Sequence, residues 1–203
     1  MQLVNEWYFW EKEFNEETCQ TLMDLSSSDW GVSQVDTNKE STDEERIEGK
    51  RPNFKEKKEL RTSDVKWADN DKLELASDIL IPYIAEANDR AGWKFIIEKM
   101  QNPQLTRYKE GEYYSWHRDG GSDHLQGSKL VRKLSMTVCL NEDYEGGELQ
   151  FHSYGKKDNK ITSAPQGKGT IIVFPSFIEH QVTPVTNGVR YSLVAWITGP
   201  PFI

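Results

Sequence analysis

Between Trp93 and Trp196 the chain falls into short apolar segments separated by turn residues, and this spacing constrains the fold more than any other feature. KFII, LTRY, YYSWH, KLSMTVCL, GELQFH, GTIIVF, HQVTPV and VRYSLVAW are rich in β-branched and aromatic residues, with Gly, Pro, Asn and Asp between them. KLSMTVCL alternates: Leu134, Met136, Val138 and Leu140 share one face, and Ser135, Thr137 and Cys139 the other. GTIIVFP is almost wholly apolar, as expected of a strand covered on both sides. Strands of this number and length predict two stacked sheets, in a barrel or jelly roll.

The N-terminal part reads differently. Residues 16 to 27 predict a short amphipathic helix with Cys19, Leu22, Met23 and Leu25 on its inner side. Residues 70 to 90 predict a longer one, with Leu73, Ala76, Ile79, Leu80, Tyr83, Ile84 and Ala87 on one face. Asp69 or Asn70 is placed to cap it and Gly92 to end it. Pro82 inside the pattern predicts a kink. The expected class is α+β, mainly β, with the helices packed on one outer sheet. Residues 34 to 64 are set apart by charge: 17 of these 31 residues are charged. Such a segment buries little apolar area, so a mobile surface loop, a long exposed hairpin or a substrate-covering lid is expected there.

Composition narrows the function classes. The net charge of -8 opposes non-specific binding to polyphosphate. The two cysteines, Cys19 and Cys139, form no C-x-x-C pair, which suits a reducing compartment without a disulfide framework. The N-terminus has no basic start or small-residue cleavage site, and no apolar run reaches the roughly 18 residues of a membrane span. A cytoplasmic protein is expected, with no membrane partner and no nucleic-acid partner.

The chemistry begins at YSWHRDGG, residues 114 to 121. On a strand, side chains at i and i+2 share a face, so His117 and Asp119 can address one point while Arg118 points away. An isolated H-x-D recurs by chance, so a third ligand decides its meaning. Of the other histidines, His124 lies in the polar turn SDHLQG and His152 follows an alternating strand; both read as surface residues. His180 follows the most apolar strand, which places it near the core of a barrel. Two imidazoles and one carboxylate make a facial triad that leaves positions open, an arrangement suited to non-haem Fe(II). A closed structural zinc site would need four protein ligands, commonly cysteines. Ten residues beyond His180, Arg190 sits in the strand VRYSLVAW. A guanidinium inside a barrel needs an anion, and a bidentate carboxylate would serve; on an outward-facing position it would be a surface arginine.

RYKEGEYYSWHRD at 107 to 119, followed by His180 and Arg190, closely resembles the 2-oxoglutarate- and Fe(II)-dependent dioxygenases of the prolyl 4-hydroxylase type. RTSDVKW at 61 to 67, YEGGELQF at 144 to 151 and GKGTIIVFPS at 167 to 176 extend the resemblance over most of the chain. It implies a double-stranded β-helix, with residues 1–203 a single dioxygenase domain, 93–200 its β-helix core and 34–64 its charged loop or lid. It implies His117, Asp119 and His180 as iron ligands. It implies Arg190 and Tyr108 at the distal carboxylate of 2-oxoglutarate, with Thr137 and Cys139 as small walls of that pocket. Arg132 and Trp196 fall where related enzymes line the peptide side; a tryptophan at a strand end also serves as core. Two departures stand out. Collagen-type enzymes use lysine where this chain has Arg190, and oxygen-sensing ones have a tyrosine where it has Cys139.

The implied reaction is hydroxylation of a prolyl residue in a peptide or protein, with O2 and 2-oxoglutarate as co-substrates and succinate and CO2 released. Ascorbate is a candidate reductant. Asp119 favours hydroxylation over halogenation, because related halogenases lack a carboxylate at that position. The alternatives are hydroxylation of a free amino acid or small metabolite, nucleic-acid demethylation, and a β-rich binding module without metal. AlkB-type demethylases carry R-x-N-x-T-x-R after the distal histidine, whereas Arg190 to Trp196 read RYSLVAW.

Overall fold

The computed structural model describes residues 5–33, 35–36, 54–55, 60–120, 129–153 and 160–202. His124, Gly121 and most of the charged 34 to 64 segment lie outside the described residues.

Two antiparallel sheets form the framework. The larger contains β1 (Tyr8–Trp10), β2 (Gly31–Val32), β6 (Asp64–Trp67), β8 (Gln104–Tyr108), β10 (Val131–Cys139), β14 (Ile171–Pro175) and β17 (Arg190–Gly199), in the order β1-β14-β10-β17-β8-β6-β2. A short β7 (Lys99–Met100) also pairs with β17. The smaller contains β5 (Arg61–Thr62), β9 (Tyr113–His117), β12 (Leu149–Ser153), β13 (Lys160–Ser163) and β15 (His180–Val182), in the order β13-β12-β15-β9-β5. β11 (Tyr144–Gly146) pairs with β16 (Val185–Gly188), and β3 (Val35–Asp36) with β4 (Phe54–Lys55). This is the jelly roll expected from the strand pattern.

The strand alternation becomes two apolar layers. On β10 and β14, Leu134, Met136, Val138, Ile171 and Val173 face the helices, in one cluster with Leu22, Leu80 and Ile84. Cys139, Ile172 and Phe174 face the smaller sheet, where they join Leu149, Phe151 and Val182. β14 is therefore buried along its whole length, because both of its faces are covered. Each fully buried aliphatic side chain contributes about 1.5–3 kcal/mol.

Helix α1 (Glu16–Met23) starts at Asn15, whose side chain accepts a hydrogen bond from Thr18 N at 2.9 Å. It ends earlier than the expected residue 27. Ser27 N donates to the Asp69 carboxylate at 2.9 Å, and the chain there has left the helical path. That same bond withdraws Asp69 from capping. A 3-10 turn, Asn70–Lys72, intervenes, and helix α2 runs Leu73–Arg90. It continues through Pro82 as one element. The proline removes a donor to the Asp78 carbonyl, but both residues are exposed, so water can replace it. Gly92, at φ 74°, follows the helix end as expected.

Two predicted strands need correction. KFII is not a strand: Phe95 N donates to the Asn88 side chain, and Lys94 has φ 54°. HQVTPV is two strands in different sheets, β15 and β16. Pro184 stands between them, its carbonyl accepting from Gly147 N at 3.0 Å. The expected loop also ends early, because Arg61, Thr62 and Asp64 belong to β5 and β6.

Candidate active site

Strand register assembles the centre of the cleft. β9 and β15 are antiparallel neighbours, and His117 stands directly opposite His180. Asp119 follows two residues beyond His117, on the same side. His117 Nε2 lies 3.6 Å from Asp119 Oδ1, and His180 Nε2 lies 3.6 Å from Asp119 Oδ2. Those separations exceed a hydrogen bond. Ligand atoms of the three residues all lie within 4.8 Å of one another.

The backbone aims both rings. His117 Nδ1 donates to the Ser115 carbonyl at 2.8 Å, and His180 Nδ1 donates to the Ile178 carbonyl at 2.9 Å. A carbonyl only accepts, so each Nδ1 carries a proton and each Nε2 is turned toward Asp119. Burial, followed by the facing His117, lowers the pKa of His180 to about 4. Burial alone would raise the Asp119 carboxyl; His180, His117 and Arg132 outweigh it and hold the group well below the carboxylate range. A divalent metal displaces protons from such a set and takes Nε2 lone pairs and an ionised carboxylate. The donor set therefore fits a ferrous ion with open positions.

Further contacts hold the triad. Ser135 Oγ donates to Asp119 Oδ2 at 2.7 Å and lies 2.9 Å from Ser176 Oγ. Gly120 N donates to the Ser176 carbonyl at 2.9 Å. A Cβ on Gly120 would come within 3.0 Å of the Arg132 carbonyl, so the chain passes where a side chain would crowd it. The Tyr114 ring stacks on His117, with centroids 3.4 Å apart. Arg118 is exposed, as the alternation predicts.

Arg190, Tyr108 and Thr137 line the same cleft as the triad. Arg190 begins β17 opposite Tyr108 on β8, and only 2% of it is exposed. Its Nη1 donates to Ser192 Oγ at 2.9 Å, its Nε has no acceptor among the described residues, and its guanidinium lies 5.5 Å from the Tyr108 ring centre. Gly147, at φ 59°, packs on its stem: a Cβ there would stand 2.8 Å from Arg190 Cδ. Cys139 is buried in the layer between the sheets, and burial raises its thiol pKa, which keeps it protonated and a poor ligand.

Trp196 also lines the cleft, and its buried Nε1 has no acceptor among the described residues. The Arg132 guanidinium covers the Trp196 ring at 4.0 Å, and Arg132 Nε donates to Gln101 Oε1 at 2.8 Å. His152 is half-buried rather than a surface residue, with Nδ1 3.0 Å from Glu179 Oε2. Sequence reasoning did not single out Ser135, Tyr114, Gln104 or Arg61 as site residues. Ser135 was legible as a polar position on the face of its strand that also carries Thr137 and Cys139.

Comparison with known proteins points the same way. Residues 103–198 match the family model of the 2OG-Fe(II) oxygenase superfamily. Over that stretch, a little under half of the chain, the protein is similar to that superfamily. A PKHD-type hydroxylase of Janthinobacterium sp. is 35% identical over 100 residues, covering 47% of this chain and 42% of that protein. A PKHD-type hydroxylase of Idiomarina loihiensis is 30% identical over 135 residues, covering 62% and 55%. The chain thus spans about half the length of the curated relatives it matches. Among solved structures, a Pseudomonas putida prolyl-4-hydroxylase superposes with TM-score 0.63 at 19% identity, over 95% of this chain and 91% of that one. A Trichoplax adhaerens prolyl hydroxylase, in complex with a hypoxia inducible factor peptide fragment, gives 0.68 at 18% identity, over 96% and 84%. These likenesses establish the fold.

Proposed function

We propose that this chain is a 2-oxoglutarate- and Fe(II)-dependent oxygenase that hydroxylates a prolyl residue in a peptide or protein, releasing succinate and CO2. The observation that carries the reading is the convergence of two imidazole Nε2 atoms on one carboxylate, in a cleft that also holds a buried guanidinium. His117, Asp119 and His180 would hold the metal. When bound, Fe(II) with 2-oxoglutarate and O2 supplies an oxidant strong enough for an unactivated C–H bond.

The chain's own residues bind and orient. The Ser115 and Ile178 carbonyls keep the imidazoles aimed, and Ser135 fixes one oxygen of Asp119. Arg190 would pair with the distal carboxylate of 2-oxoglutarate, with Tyr108 beside it and Thr137 as a small wall. Arg132, stacked on Trp196, would border the substrate side. Residues 1–203 would act as one catalytic domain. The peptide-bound neighbour supports a peptide or protein as partner. Cys19 and Cys139 are both free and buried, which supports the reducing cytoplasm as the site of action. No helix among the described residues is long and apolar enough to cross a membrane.

The test is incubation of a proline-peptide library with the protein, Fe(II), 2-oxoglutarate and O2, with ascorbate as reductant. Mass spectrometry should show a gain of one oxygen on proline, matched by succinate. Succinate without peptide oxidation, or neither product, would overturn the reading.

A further inference from the structure

A second arginine lies in the cleft without an acidic partner among the described residues. Arg61, on β5, is 8% exposed and lines the cleft that holds the triad. Its Nε donates to Ser63 Oγ at 2.8 Å, and its Nη2 to Gln104 Oε1 at 3.2 Å and Thr106 Oγ1 at 3.5 Å. All three acceptors are neutral, and Nη1 has no acceptor among the described residues. The guanidinium lies 4.7 Å from the centre of the Tyr114 ring, which itself stacks on His117. One aromatic ring therefore separates this cation from a metal-ligand candidate.

Two arginines away from the cleft are neutralised. Arg107 donates to the Asp64 carboxylate at 2.6 Å, and Arg90 to Glu86 at 2.9 Å. Asp119 is the one acidic side chain among the described lining residues, and it faces the two histidines. Burying a charge without a counter-charge is costly, so such a site favours an anionic ligand. The cleft holds two such guanidinium groups, and 2-oxoglutarate has one distal carboxylate to offer. Arg190 takes it under the function proposed above, on which this step rests, and Arg61 is left over.

We propose that Arg61 binds a carboxylate carried by the molecule to be hydroxylated, so that the substrate is acidic next to the target carbon. Two sources share this chemistry: an acidic residue beside a proline in a peptide, and the carboxylate of a free imino acid. Gln104 and Ser63 hold the guanidinium in place, and Nη1 is the donor left for the ligand.

Two probe pairs test this. One is acetyl-Ala-Pro-Asp-amide against acetyl-Ala-Pro-Asn-amide; the other is L-proline against L-prolinamide. Binding to Mn(II)- and 2-oxoglutarate-loaded protein is measured by calorimetry without oxygen, so turnover is not the readout. A charge-assisted hydrogen bond predicts a preference of roughly 10- to 100-fold for the carboxylate member of one pair. The pair that shows it identifies the source. Arg61→Gln should abolish that preference and Arg61→Lys should retain part of it, while 2-oxoglutarate affinity stays within a few-fold. Equal binding within both pairs overturns the proposal, as does a preference that survives in Arg61→Gln. Should Arg61→Gln fail to fold, the wild-type and Arg61→Lys arms still decide. Loss of 2-oxoglutarate binding in the wild-type protein would instead overturn the oxygenase reading, which separates the two failures.

Discussion

The two faces of β10 divide the labour of the fold. Toward the helices it presents Leu134, Met136 and Val138, all fully buried and apolar. Toward the other sheet it presents Ser135, Thr137 and Cys139, where Ser135 reaches Asp119 and Thr137 lines the cleft. Stability and chemistry are thus separated by the pleat of one strand rather than by distance along the chain. Changes on the first face should act on unfolding, and changes on the second on binding.

The largest expected effect is on the cleft side. His117→Ala or Asp119→Ala should eliminate metal binding and substrate-coupled succinate formation; near-normal turnover in both would break the assignment. The helix side gives the counterpart. Leu134→Ala should destabilise the protein by about 2–5 kcal/mol in urea unfolding, with 2-oxoglutarate affinity nearly unchanged in the folded fraction. A large loss of affinity there would show that the two faces are coupled. Arg190→Ala should raise the 2-oxoglutarate requirement by roughly 10- to 100-fold, because a charge-assisted pair is lost. Ser135→Ala should weaken Mn(II) binding by roughly 10- to 100-fold, with Ser135→Thr recovering part of it, since the hydroxyl orients a ligand rather than supplying one.

The smallest effect lies on an outer ion pair. Burial alone would raise the Asp64 carboxyl, but hydrogen bonds from Lys109 and Arg107 outweigh it and lower the pKa. A depressed native pKa stabilises above the unfolded value and loses that contribution as pH falls through the native one. Asp64→Asn should therefore cost about 1 kcal/mol near pH 7, and its urea midpoint should converge on wild type as pH drops below about 4. A constant gap across pH would place the effect in packing instead.

What was legible in the sequence followed local periodicity. The alternation of KLSMTVCL gave both faces of β10, and H-x-D spacing brought two site residues to one point, although β9 ends at His117 and Asp119 lies just beyond the strand. Pairing was less visible. That His180 lies opposite His117 depends on the β9–β15 register, which no local pattern specifies. HQVTPV read as one run because β propensity does not show where Pro184 redirects the chain. Arg61 was hidden for a related reason. It ends a densely charged stretch, and composition there suggests solvent, yet two residues of pairing with β9 bury it.

The carbonyls of Ser115 and Ile178 orient the imidazoles through peptide groups, each two positions before its histidine. Side-chain scanning at Ser115 or Ile178 would leave that orientation intact, so a mutational survey could score both positions as silent while they steer the candidate metal ligands. Replacing the peptide linkage itself, for example by an ester that weakens the acceptor carbonyl, is the perturbation that would reach them.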